Sequence, residues 1–411
     1  MNSPRKYKLL VVAAHPVQYA APVFRAMAAD PRLDLLVAYC SLQASKGGVD
    51  PEFGVPVDWD VPLLEGYPWV QVPNLSPRTR PGHFFDLFNP GLWRLVRRGG
   101  FDAVVLLTGY VCASFWLTVA AARVSRTAVL FGTDAHQLFP LDAKRWKVLV
   151  KRLLWPRLFR LADEVIVPSS GGVRLMRQLG IPADRVTLTP YVVNNRWWTE
   201  QATRVDREAV RRSWELPATA QVVLFCAKLQ PWKRPMDLLM AFAAANLPDV
   251  FLVFAGEGPL RSQLVEEAKR LGLEPRVRFL GFANQSRLPG IYRAADVMVL
   301  PSEYEAFGVV VNEAMLCGCP VVVSDRVGAR FDLVREGVTG MVFPLGDVPA
   351  LADVLRTLLA KPSRLWTMSE AARKRMESWA PEDNIAALVA AVDRAVSRRG
   401  VNRPRGEEQS K

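Results

Sequence analysis

Short runs of β-branched and aliphatic residues recur along this chain, separated by stretches in which apolar positions return every three or four residues. The runs are Leu9–Ala13, Asp34–Tyr39, Ala103–Leu107, Ala128–Phe131, Glu164–Val167 and Val186–Thr189, then Gln221–Phe225, Val250–Ala255, Val277–Leu280, Val297–Leu300, Pro320–Ser324 and Gly340–Phe343. Strands this uniformly apolar are covered on both faces, and their alternation with helical stretches predicts parallel sheets. The rhythm breaks between Asn194 and Pro217, where NNRWW precedes a charged helical stretch, Asp206–Trp214. It then restarts, which predicts an α/β protein of two doubly wound, Rossmann-like units, residues 1–200 and 201–380, with the linker near Trp198–Val205. A last helical stretch, Asn384–Val396, follows a break at Trp379-Ala380-Pro381 and is expected to fold back on the first unit. Residues 397–411 carry no pattern and are expected to be a disordered tail.

One segment has the length of a membrane span: Ala103–Ala122 holds no charge. It divides better into a strand, a turn at Thr108-Gly109 and a buried helix. The start of the chain, with an apolar run of only Leu9–Ala14, is too short for a secretory core and reads as the first strand.

Composition narrows the class. Of 411 residues 50% are hydrophobic and 23% charged, the balance of a folded chain. Cys40, Cys112, Cys226, Cys317 and Cys319 sit mostly in apolar runs and form no C-x-x-C pair, as expected of buried thiols in a reducing, cytoplasmic setting. The net charge of +13 is uneven, with 24 Lys and Arg against 15 Asp and Glu in residues 1–200, and 29 against 25 in residues 201–411. A basic surface suits nucleic acid, anionic lipid or a phosphorylated substrate. No zinc or helix-turn-helix pattern accompanies it, so no nucleic-acid partner is expected.

Candidate chemistry gathers in the second half. Val297–Leu300, PSEYEAFGVVVNEAM and Pro320–Ser324 read as strand, loop, helix and strand, with the helix starting near Phe307. Ligands of such sheets sit at the carboxyl ends of strands. The amides of Ala306, Phe307, Gly308 and Val309 suit an anion there, flanked by Glu305 and by Glu313 in the second helical turn. The same two carboxylates also fit a helix cap and a solvated helix residue. After Gln221–Phe225 comes CAKLQPWKRP, in which Lys228 and Lys233 suit the growing charge of a diphosphate leaving group. Phe254-Ala255-Gly256-Glu257-Gly258-Pro259 is a Gly-rich turn after a strand, with Gly256 and Gly258 as candidate phosphate contacts.

Taken together these residues resemble the retaining glycosyltransferases of GT-B fold, the large family that includes sucrose synthases and bacterial α-mannosyltransferases. The family's P-S, Glu, x-F-G, second Glu and A-x-x-x-G-x-P-V stand here as Pro301, Ser302, Glu305, Phe307, Gly308, Glu313, Ala314, Gly318, Pro320 and Val321. The register continues through Ser324, Asp325, Gly328 and Glu336–Gly340 to Gly346-Asp347, so the resemblance spans most of residues 221–347. It implies two Rossmann-like domains facing a cleft, with a nucleotide-sugar donor on the second and a hydroxyl acceptor on the first. By it, Glu305 binds donor-sugar hydroxyls, Glu313 the ribose, the following amides sugar and phosphate, and Lys233 the diphosphate. Lys228 stands where many members have arginine, which keeps the charge and loses the bidentate fork.

The first half resembles the family more loosely, through Ser169 and the run LGIPADRVTLTPYVVNN, with Asn194 in place of the more usual aspartate. His15, Gln18 and Tyr19 occupy the first turn, where many members have glycines, and are acceptor-side candidates; a packing role suits His15 equally well. In GTDAH, Asp134 and His136 both fit the polar residue that reaches the donor sugar. The family's front-face displacement needs no protein nucleophile and no metal. Asp58-Trp59-Asp60 has the form of the metal motif of the other glycosyltransferase fold, but it closes no nucleotide-binding strand, so no metal or other cofactor is expected. Lys144–Arg160 carries seven basic residues and no acid. On a helix, Trp146, Leu149, Val150, Leu153 and Leu154 form an apolar face fit for an anionic membrane and a lipid-linked acceptor, or for ordinary packing on the sheet. A sugar-nucleotide epimerase or a glycosyl phosphorylase on the same fold is the alternative activity.

Overall fold

The computed structural model describes residues 5–43, 48, 54–77, 83–138 and 145–400. The apolar runs form two parallel sheets. The first contains β1 (Tyr7–Ala13), β2 (Leu33–Tyr39), β3 (Trp69–Gln71), β4 (Ala103–Leu106), β5 (Ala128–Gly132), β6 (Glu164–Val167) and β7 (Val186–Leu188), in the order 3-2-1-4-5-6-7. The second contains β8 (Gln221–Cys226), β9 (Val250–Ala255), β10 (Val277–Gly281), β11 (Val297–Leu300), β12 (Val321–Ser324) and β13 (Gly340–Phe343), in the order 10-9-8-11-12-13. In each, the order reverses beside the first strand, at β1/β4 and β8/β11. Loops leaving such neighbours in opposite directions open a crevice at the carboxyl edge. The edge strand β3 is missing from the sequence reading because three residues in a Pro-rich stretch give no period to detect.

The segment Ala103–Ala122 divides into β4 and a helix, Ala113–Ser125, both buried against the first sheet. Among the described residues no helix is long and apolar enough to cross a membrane. All five cysteines are buried and free.

The boundary between domains differs from the expected one. Helix Asn195–Thr203, placed by sequence in the linker, sends Trp198 and Ala202 into the core built on β8 and β11. Val192 and Val193 join that core too, so the crossing precedes Asn195. The indole of Trp198, 1% exposed, holds this helix to the second domain because removing so large an apolar surface from water dominates the local balance.

Helix Pro381–Arg398 returns to the first domain and lies against β4, β5, β6 and β7. Ile385, Leu388, Val392 and Val396 form its buried stripe. Arg394 and Arg398 reach Glu164, which is fully buried and also accepts from Thr187. A buried carboxylate is tolerable with this many donors, and the pairing fixes where the returning helix sits. The helix continues past Ser397, where a disordered tail was expected to begin; residues 401–411 lie outside the described residues.

Candidate functional site

On the second domain, the loops after β8 and β11 meet at the reversal point. Lys233 pairs with Oε1 of Glu305, and the two side chains are 18% and 13% exposed. The same carboxylate oxygen accepts from Ser302 Oγ at 2.9 Å. Glu303 N donates to Trp232 O at 2.7 Å, so the two loops are joined through backbone as well. Lys228 lies half-buried on the same loop as Lys233.

The helix after β11 begins at Val310 rather than near Phe307. Gly308, at φ +95°, is the cause, since that conformation lies outside the helical range and Gly adopts it without steric penalty. Glu313 therefore falls in the first helical turn instead of the second. Residues 305–307 are tied to 326–329 through carbonyls: Gly328 N donates to Glu305 O at 3.1 Å and Ala329 N to Phe307 O at 2.7 Å. The amides of Phe307, Gly308 and Val309 donate to no backbone group among the described residues. They form a short row of donors beside the Lys233–Glu305 pair.

Glu313 keeps a strip of exposed surface, but its carboxyl is enclosed and accepts from Tyr292 Oη at 2.8 Å. Burial pushes this carboxyl up to about 7, with the Tyr292 hydrogen bond acting the other way. Gly256 and Gly258 serve the site through the backbone. A Cβ on Gly256 would lie 2.0 Å from Ala227 O, and one on Gly258 2.6 Å from Leu229 O. These glycines let the turn after β9 brace the Lys228 loop, reinforced by Leu229 N donating to Glu257 O at 2.8 Å.

The first domain faces this edge with the loop after β5. His136 crosses the cleft: its Nδ1 is 3.2 Å from Ala306 O and its ring stacks on Tyr304 at 5.4 Å. Burial lowers its basicity, while the Ala306 carbonyl partly restores it. Asp134 is open to cleft solvent yet crowded by protein, which raises its carboxyl above the usual range. His136 thus touches the loop after β11, whereas Asp134 lines a cavity of about 530 Å³ at the carboxyl edge of the first sheet. His15 and Tyr19 line that cavity as well. Gln18 is half-buried in the same turn and does not line it.

Sequence reasoning missed the aromatic column that joins the two sides. Tyr19 packs on Tyr191 at 5.5 Å, Tyr191 stacks on Phe307 at 5.4 Å, and Phe307 on Trp379 at 6.2 Å. Trp379 Nε1 and Asn312 Nδ2 both donate to Tyr191 O, at 2.9 and 2.8 Å. Tyr191 and Trp379 stand at the two chain crossings, and only that position in the sequence marks them. Ser170 N adds another tie, donating across the cleft to Asp332 Oδ2 at 2.9 Å.

Asp58-Trp59-Asp60 spans the cleft: Asp60 accepts from Ser286, Asp58 O from Asn284 Nδ2 at 2.5 Å, and Trp59 packs on Phe282. Among the described residues no group of three or more His, Cys, Asp or Glu is placed to hold a metal. The basic segment forms helix Arg145–Phe159; Lys144 lies outside the described residues. Its apolar face points outward, with Trp146, Leu149, Leu153 and Leu154 between 55% and 62% exposed. Trp155 faces inward and donates to Tyr110 Oη at 3.0 Å.

Two Rossmann-like domains with facing carboxyl edges, one carrying a Lys–Glu pair beside a row of amides and the other a pocket, make up the GT-B architecture. The chain belongs to the group 1 glycosyltransferases: residues 206–375 match the family described as glycosyl transferases group 1, and residues 17–192 match the glycosyl transferase 4-like domain. It is similar to the D-inositol 3-phosphate glycosyltransferases of Mycolicibacterium smegmatis, 36% identical over 205 residues, and Mycobacterium tuberculosis H37Ra, 38% over 209 residues. Those alignments cover 48% and 49% of this chain and only 46% and 42% of the relatives. Among solved structures, Anabaena HepE in complex with UDP and glucose has a TM-score of 0.69 at 22% identity, covering 94% of this chain and 99% of that one. Sucrose-phosphate synthase from Thermosynechococcus elongatus has 0.67 at 21%, covering 96% and 100%. At these identities the two structures establish the fold.

Proposed function

We propose that the protein is a retaining glycosyltransferase that moves a sugar from a nucleotide-sugar donor, bound at the edge of the second sheet, to a hydroxyl of an acceptor held by the first. The observation that carries this reading is the Lys233–Glu305 pair beside the free amides of Phe307, Gly308 and Val309. An ammonium has three donors, so Lys233 can hold Glu305 and still reach a diphosphate. Oε1 of Glu305 is occupied by Lys233 and Ser302, which leaves Oε2 for a sugar hydroxyl. Glu313 takes the ribose, and Lys228 adds charge against the leaving phosphate. The bond between the anomeric carbon and the phosphate oxygen breaks as the acceptor oxygen bonds the same face, and the acceptor proton passes to the departing phosphate. No protein nucleophile and no resident metal enter this scheme. His136 and Asp134 face the sugar from the first domain. HepE, whose complex holds UDP and glucose, supports a donor of the UDP-sugar kind.

The product belongs to polysaccharide, glycolipid or other glycoconjugate synthesis. The reading includes cytoplasmic, peripheral attachment to an anionic bilayer through helix Arg145–Phe159, which would present a lipid-linked acceptor. Its support is the outward apolar face flanked by Lys147, Arg152 and Arg157, with no acidic residue on the helix. A thermal-shift screen against UDP-, GDP-, ADP- and dTDP-sugars identifies the donor, and the anomeric coupling in the product's NMR spectrum tests retention. An inverted anomer would sink the retaining mechanism; conversion of the donor without any acceptor would point to an epimerase.

A further inference from the structure

We propose that the first-domain cavity takes an uncharged, hydroxyl-bearing acceptor in preference to a phosphorylated one. The inference rests on the glycosyl-transfer reading above and names the substrate class of its acceptor side. The cavity wall combines aromatic rings, Tyr19, Tyr110, Trp155 and Tyr191, with threonine hydroxyls and aliphatic side chains. Among the described residues its lining contains no lysine or arginine. Its acid is Asp134, and its histidine, His15, is kept toward the neutral form by burial.

Several backbone donors beside the cavity are already engaged within the protein. In folds of this kind, helix N-termini at the sheet edge are the usual anion sites. After β1, Ala20 N and Ala21 N both donate to Val17 O, and the next residue is Pro22, which has no N–H. After β4, Cys112 N, Ala113 N and Ser114 N donate to Gly109 O, Phe84 O and Leu87 O. After β6, Ser170 N donates to Asp332 Oδ2 and Gly172 N to Ser169 Oγ. A phosphate entering here would lose water, find no lysine or arginine on the described lining and meet the Asp134 carboxylate.

One polar group does ask for a ligand. Thr108 is 1% exposed, lines the cavity, and its Oγ1 has no hydrogen-bond partner among the described residues. A hydroxyl both donates and accepts, so a sugar or polyol hydroxyl completes it, while the rings pack against the apolar face of such a molecule. This sets the chain apart from the relatives named as acting on an inositol phosphate, to which it aligns over less than half their length.

The test uses matched pairs on the full chain: myo-inositol with inositol 1-phosphate, glucose with glucose 6-phosphate, and glycerol with glycerol 3-phosphate. Each is titrated by the fluorescence of Trp155, with a Trp155→Phe control, and assayed for transfer from the sugar nucleotide that stabilises the protein. The neutral member of at least one pair should bind, and should exceed its phosphate by about tenfold or more in affinity or kcat/KM, the scale of one uncompensated charge. Thr133→Arg, which places a cation on the cavity wall, should shrink or reverse that ratio. Thr108→Val should leave the unfolding temperature unchanged and raise KM for the neutral acceptor by about threefold to tenfold, the size of one neutral hydrogen bond, with kcat largely retained. A phosphate that binds as well as its neutral partner, or pairs in which no neutral member binds, overturns the inference while donor binding leaves the transfer reading standing. Failure of every sugar nucleotide to stabilise the protein sinks the transfer reading, and this inference with it.

Discussion

Replacing Lys233 with Met separates two things the Lys233–Glu305 pair does. The substitution keeps most of the side chain's volume and removes the charge, leaving Glu305, 13% exposed, with Ser302 as its remaining side-chain donor. Losing one partner of a fully buried pair costs about 3–5 kcal/mol, and the residual exposure here reduces that to about 2–3 kcal/mol. Spread over a domain of this size, the second domain's unfolding midpoint should fall by roughly 5–10 °C. Turnover should fall separately by about 10²–10³-fold, the scale of one lost preorganised charge at the leaving group. The double variant Lys233→Met, Glu305→Gln distinguishes the effects, because a neutral amide leaves no unpaired charge. Calorimetry should show its stability restored to within about 1 kcal/mol of the parent, while turnover stays low. A double variant as unstable as the single one would refute the electrostatic coupling. Full turnover in Lys233→Met would refute the assignment of Lys233 to the diphosphate.

Burial raises the Glu313 carboxyl to about 7, so the folded protein holds this proton more tightly than the unfolded chain, and stability should decline as pH rises from about 4.5 through 7. Glu313→Gln should remove that decline, gaining about 3 kcal/mol at pH 8 over the parent in denaturant titrations, while weakening nucleotide-sugar binding. Gly256→Ala places a Cβ 2.0 Å from Ala227 O at φ +151°; it should cost about 1–3 kcal/mol and abolish the donor-induced thermal shift, and a normal shift would show that the turn does not brace the lysine loop. Vesicles rich in phosphatidylglycerol should co-sediment the protein at low salt and release it at high salt, whereas Leu149→Glu, Leu153→Glu should stay in solution. Retention of that variant by the vesicles would remove helix Arg145–Phe159 from the interface.

Much of the architecture is legible in the chain because parallel strands buried on both faces must be apolar throughout. The runs before residue 200 and after residue 220 announce two sheets for that reason. Local chemistry also marks the edge proposed for the donor: Glu305, Gly308, Glu313 and the two lysines sit where strand ends and glycines place them. Other features depended on contacts distant in sequence. The small boundary shift at Asn195 follows from where the Trp198 indole finds an apolar core, which no local pattern states. The outward turn of Trp146, Leu149, Leu153 and Leu154 is decided by which side of the helix the sheet occupies, since an amphipathic period shows two faces without telling which one is covered. The Tyr19, Tyr191, Phe307 and Trp379 column joins residues up to 360 positions apart, so it exists only once both crossings have folded. The charge of the proposed acceptor pocket belongs to the same class: the sequence is basic, +13 overall, yet tertiary structure keeps lysine and arginine off the described wall of the cavity.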